Sequence, residues 1–247
     1  MRLDTEGVCV TVGNLIDFAW PESVANHMRI VTAVRAHRTN ARVIGLLVAG
    51  GGSGDGISAS VAVDHTGLLG ATSAAMLASL ELSAIDYRIR FGMADEAIME
   101  VMMPTFGLGA IRADLANQMG LATKAVTNAM IADWFDLRGV RVQFVNDWQV
   151  RTGAGSLGNS TPAIDYPATI SYLIYAPGTF VLGKGLSLDL GVIRDSVLNA
   201  TNDHTAAWAE ESYLVAKPGH ESRIVTTTIC NSGEVGMLSI TCAGNQS

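Results

Sequence analysis

Lysine is scarce in this 247-residue chain: only Lys124, Lys184 and Lys217 occur, so most of the positive charge is arginine. Arginine suits bidentate ion pairs at protein contacts better than lysine does. Charged residues of both signs make up 16% of the sequence, against a usual level of about 25%. No apolar run approaches the roughly 18 uninterrupted residues of a membrane span. With 49% hydrophobic residues, the missing charge calls for another outlet, and surface buried against neighbouring chains supplies one. The formal net charge of −7 argues against a general nucleic-acid binder.

Cysteine is sparse too. Cys9, Cys230 and Cys242 form neither a CxxC pair nor a metal-ligand spacing. An odd, small count suits a reducing compartment. The start lacks the basic-then-apolar pattern of a secretory signal. Met1 opens directly on strand-like RLDTEGVCVTVGN, which sets the expectation that natural N-terminal sequence is missing.

What the chain does have is one unusually long helical stretch, Pro21 to Ala49. Pro21 suits the first helical position, where its missing N–H costs nothing. Glu22 is favoured there by the helix dipole. Val24, Met28, Val31, Val34, Ala41, Ile44 and Val48 recur at helical steps. Arg29, Arg35, Arg38 and Arg42 fall mostly off that stripe, and Gly50 to Gly52 end it. Such a helix runs roughly 40 Å, while the mean globular helix has about 11–12 residues. It reads either as a strut in an elongated body or as a long core helix in a compact enzyme.

Around it, Gly7 to Asn14 alternates as a strand, and a short strand-like stretch follows GGGSGDG. Helices are expected at Gly70–Phe91, capped by Thr72 or Ser73, at Phe106–Met119, and at Thr123–Leu137, stopped by Gly139. Strands are expected at Ala97–Met103 and Val140–Val145, paired in a small α/β unit. Arg151–Asp165 reads as an exposed loop. Beyond it the chain turns mostly β: ATISYLIYA, FVLGKG, an ambiguous Leu186–Leu198, and Met237–Cys242. Ala206–Ala216 and Arg223–Cys230 flank KPGH and read as a hairpin.

Catalytic patterns are weak. GGGSGDG follows a helix and carries Asp55 in place of a Walker lysine. His220-Glu221-Ser222-Arg223 lacks the second histidine of a zinc motif, and Pro218-Gly219 before it reads as a turn with His220 and Glu221 at its rim. Asp203, His204 and Ser196 have the right residue types for nucleophilic catalysis, but no G-x-S-x-G elbow exposes the serine. His27 and His37 stand ten apart, too far for a shared metal. We assign no catalytic, cofactor-binding or metal-binding residue, no cofactor, and no enzyme activity. Asp4, Glu6 and Asp17 near the start could pair with the arginines of the long helix in another chain.

Longer phrases carry a resemblance. Pro167 to Cys230, with DLGVIRDSVLNATND, resembles the C-terminal half of tailed-phage major capsid proteins, especially those of actinobacterial phages. MADEAIMEVMMPTFGLGAIRADLANQMG and AMIADWFDLRGVRVQFVNDWQ fit the same family in the same order. The resemblance implies an α+β, Hong Kong-type phage capsid fold with a long spine helix, a peripheral (P) domain and an axial (A) domain. It maps Pro21–Ala49 onto the spine helix and Asp4–Phe18 onto the descending side of the E-loop. Residues 1–93 would be E-loop remnant, spine and P domain, 94–185 the A domain, and 186–247 the return strands. The implied function is a structural virion subunit that self-assembles as hexamers and pentamers into an icosahedral bacteriophage head around double-stranded DNA. The DNA would be enclosed without sequence-specific binding. An encapsulin-like shell around a cargo enzyme is the alternative. The partners implied are copies of the chain itself, with scaffold, portal or decoration proteins, and no membrane. The localisation implied is the virion, with assembly in the host bacterial cytoplasm. Arg29, Arg35, Arg38 and Arg42 are the expected interface residues.

Overall fold

A computed structural model of the chain describes residues 4–51, 57–66, 73–120, 125–149 and 167–229. In chain order its elements are β1 (Asp4–Gly13), α1 (Asn14–Ala19), α2 (Pro21–Ala49), β2 (Val61–Asp64), α3 (Ser73–Phe91), β3 (Met99–Pro104), α4 (Phe106–Met119), α5 (Asn128–Asp136), β4 (Val140–Val145), β5 (Thr169–Tyr175), β6 (Val181–Leu190), α6 (Ser196–Ala200), β7 (Asp203–Ala216) and β8 (Ser222–Thr228). The long helix has the limits its sequence signals give it, with Pro21 in the first turn and Gly50 at the C-cap. Most of GGGSGDG, the loop Arg151–Asp165, the strand expected at Met237–Cys242 and the cap of α3 lie outside the described residues or side chains.

The chain divides into two compact units, Met1–Ser58 with Phe180–Pro218, and Ala59–Thr179 with Gly219–Ser247. The first is a three-stranded antiparallel sheet of order β1-β7-β6 with α2 against it. β1 alternates strictly: Asp4, Glu6, Val8 and Val10 lie on the more buried side, while Thr5, Gly7 and Cys9 are exposed. This period of two is what one covered face imposes on a strand. β6 is exposed along nearly its whole length and carries a register shift between Lys184 and Ser187. Its buried apolar side chains, among them Val10, Ile44, Leu47, Tyr213 and Val215, all keep some exposure.

The second unit is a five-stranded mixed sheet of order β2-β8-β5-β3-β4. β3 and β4 run parallel, with α4 and α5 in the crossover between them. The large apolar cluster sits here: Met76, Leu80 and Tyr87 of α3, Ile111 of α4, Ile131 and Phe135 of α5, against Met99, Met103, Ile170 and Tyr172 of the sheet. α4 lies close on the sheet because Gly107 has no side chain. A Cβ there would stand 2.5 Å from Cδ1 of Ile170. Gly139, at φ 67°, ends the α5 turn where a Cβ would meet Nη2 of Arg88 at 2.8 Å. Arg88 uses that closeness to donate to the carbonyls of Ala97 and Gly139 at 3.0 and 3.1 Å.

Several sequence expectations change. The strands flanking KPGH do not form a hairpin: β7 pairs with β1 and β6, whereas β8 pairs with β5 and β2. The turn carries the chain from one unit into the other. α3, grouped by sequence with the spine segment in residues 1–93, packs through Leu80, Ala84 and Tyr87 into the α/β core. α5 begins only at Asn128, because the Thr127 hydroxyl caps it by accepting from Met130 N. Leu186–Leu198 resolves into the end of β6 and the start of α6, which Asp195 caps.

Candidate assembly interface

The covered face of α2 follows its apolar spacing only in part: Ile44 is buried and Val48 half-buried near its C-terminal end. Val24, Met28 and Val31 are half-buried, but the stripe continues through Arg35 and Thr39, while Val34 and Ala41 are exposed. The strand opposite explains the change. Asp4 and Glu6 lie on the side of β1 that faces α2, so the helix meets them with cations. The Thr39 hydroxyl donates to Glu6 Oε2 at 2.9 Å, and Arg38 Nε lies 3.4 Å from Glu6 Oε1. Arg42 reaches Asp4 Oδ2 at 3.3 Å.

Arg35 has the most constrained place. Glu6 and Glu211 stand directly opposite in the β1–β7 register, and like charges so placed repel. Arg35 Nη2 donates to the Glu6 carbonyl at 3.4 Å and lies 4.0 Å from Glu211 Oε2, with its side chain only 19% exposed. Lys184 Nζ, on β6, adds a contact to Glu211 Oε1 at 3.7 Å. A cleft of about 400 Å³ opens beside these groups, lined by Thr32, Thr39, Leu182, Glu211 and Tyr213 among others. Burial, reinforced by Asp4 and Glu6, raises the Tyr213 phenol above its ordinary value. Asp4 and Glu6 thus meet arginines of their own chain. Arg29 donates to Asn26 Oδ1 at 3.3 Å, three residues earlier on the same helix.

The same unit displays much apolar surface. α1 has no buried residue, and Phe18 is 89% exposed, with Leu15, Ile16 and Trp20 open around it. Along β6, Leu182, Leu188 and Leu190 are exposed, and Leu186, within the register shift, is 91% exposed. Asn14 ties this end together through Asn202 and Arg194. In the second unit, Leu82, Ile85 and Ile89 form an open stripe on α3. Large exposed apolar groups concentrated on a thinly cored unit mark a contact surface.

The residues considered for catalysis have structural places. His204 is buried, with Nε2 3.6 Å from Asp17 Oδ2, and Ser196 opens α6 behind its Asp195 cap. Glu221 meets Arg90 and Arg223, and Arg223 also binds Asp86 at 2.5 Å. His65 Nδ1 and the Tyr172 hydroxyl share the Ser79 hydroxyl at 2.6 and 2.9 Å inside the core. Burial pushes Tyr172 up to about 12 and lowers His65. No cluster of three metal-ligating side chains occurs among the described residues. Lys184 and Glu211 were missed by sequence because only the sheet register brings them to α2.

No family model and no curated protein matches the chain. Solved structures do. A structure from Mycobacterium phage Che8 aligns with a TM-score of 0.58 at 14% identity, over 94% of this chain and 72% of that one. The capsid of Myoviridae phage XM1 aligns with a TM-score of 0.55 at 13% identity, over 91% and 73%. This is the Hong Kong-type capsid fold of tailed phages. The capsid of cyanophage P-SCSP1u gives 0.51 at 9% identity, over 92% and 72%. The α+β, Hong Kong-type fold inferred from sequence phrases is thus the fold observed.

Proposed function

We propose that this chain is a major capsid protein, a structural virion subunit whose copies assemble as hexamers and pentamers into the icosahedral head of a tailed phage around double-stranded DNA. Its work is assembly, and no reaction is assigned to it. The observation that carries this reading is the capsid fold combined with large exposed apolar groups on α1 and β6. A thinly cored unit gains burial from its neighbours, at about 25 cal/mol per Å² of apolar surface covered. Each contact can be modest, because closure presents several contacts at high effective concentration. Contacts around a ring are heterologous and close by rotation.

In this reading α2 is the spine, the unit holding it is the peripheral domain, and the unit built on the mixed sheet is the axial domain. β1 is the descending strand of the E-loop. Arg29, Arg38 and Arg42 are contact residues, while Arg35 serves the strand–helix junction within the subunit. Scaffold, portal and decoration proteins are the further partners, and assembly takes place in the host cytoplasm. Sedimentation of the expressed chain tests the proposal. Particles far larger than the 25.9 kDa monomer support it, and a monomer under all assembly conditions overturns it.

A further inference from the structure

α2 has a second face that the sheet does not use. His27, Ile30, Val34, His37 and Ala41 follow one another at alternating steps of three and four, and all are exposed. That is the 3.5-residue repeat of a helix-pairing seam. Ile30 is 51% and Val34 59% exposed. Arg38 rims the seam on one side, with Arg42 further round on that side and Arg29 further round on the other. Between Ser23 and Ala49 the helix carries no acidic residue, in a chain whose net charge is −7. Arg38 meets Glu6 through Nε, and Arg42 meets Asp4 through Nε and Nη2, so each guanidinium keeps further donors.

We propose that this face of α2 docks an amphipathic helix with an apolar 3.5-residue seam and acidic flanks. A second α2 would bring arginine against arginine, a like-charge pairing that specific interfaces avoid. A DNA backbone would satisfy the arginines but leave Ile30 and Val34 without an apolar partner. An acid-flanked helix satisfies both, in the helix-in-groove mode of recognition. The inference goes beyond the capsid reading and does not require it.

The test uses the unassembled full chain with three probes: two synthetic three-heptad peptides with Leu and Ile seams, one flanked by Glu and one by Lys, and a short duplex DNA. Fluorescence anisotropy should give the Glu-flanked peptide at least about tenfold tighter binding than the Lys-flanked one. The preference should shrink as salt rises. Val34→Asp should abolish binding while leaving circular dichroism unchanged, since Val34 is exposed; Ile30→Asn is the second seam variant should the first not fold. Equal binding of the two peptides overturns the proposal. So does binding of duplex DNA alone, or self-association that Val34→Asp removes in place of peptide binding. Particle formation by the same variants is scored separately by microscopy, so failure of the capsid reading leaves the peptide result interpretable.

Discussion

Replacing Arg35 by Met would keep most of the side-chain volume and remove the cation that lies 4.0 Å from Glu211 Oε2 and donates to the Glu6 backbone carbonyl. The two carboxylates stand opposite in register, with opposed Cβ atoms about 4.5–5.5 Å apart in such pairs. Over ~6 Å at an effective dielectric of about 20, two unit charges repel by about 3 kcal/mol. Glu211 is 37% exposed on its side chain and keeps Lys184 as a partner. Solvent, that lysine, and the Arg38 and Thr39 contacts kept by Glu6 reduce the cost to about 1–2 kcal/mol. In a chain of this size, that lowers the thermal midpoint by roughly 2–8 °C. Arg35→Met with Glu211→Gln should recover much of the loss, because the second change removes the repulsion. A double-mutant cycle, followed by circular dichroism at low and high salt, measures the coupling, which should fall with salt. Additive losses, or a coupling independent of salt, would refute the claim that Arg35 acts by offsetting the Glu211 charge beside Glu6.

Three further outcomes follow from the second unit. Gly107→Ala pushes a methyl against the fully buried Ile170 and should destabilise the chain by about 1–3 kcal/mol, read as a lower urea midpoint with an unchanged slope. Thr127→Ala removes the α5 cap and should cost ~1 kcal/mol, whereas Thr127→Ser should be nearly neutral. His65 resists protonation because it is buried, so its folded pKa lies below its unfolded one. Its contribution is complete above the ordinary histidine value of about 6.5 and is lost as pH falls from there toward the lowered folded value. His65→Phe should flatten stability between those limits, and an unchanged pH profile would count against the assignment.

Local signals made much of this fold readable. The limits of α2, α4 and β4 follow from helical or alternating apolar spacing and from Pro21 and Gly139. The pairing of β3 with β4 was expected from the strand–helix–helix–strand order, and its parallel sense comes from the structure. The three-stranded sheet was beyond such reading, since Asp4 pairs with Tyr213, and no local pattern encodes so distant a register. KPGH marked a turn correctly, yet a turn signal does not say which sheet each flanking strand joins. The arginines of α2 were visible as a group. The half-buried place of Arg35 was not, because it depends on Glu211, which the β1–β7 register sets opposite Glu6.

The most direct measurement is electron microscopy of the purified chain. The capsid assignment predicts closed icosahedral particles whose wall is built from rings of this subunit, with the α1 and β6 apolar side chains covered by neighbouring copies. Monodisperse monomers or small open oligomers, with those side chains left in solvent, would contradict it.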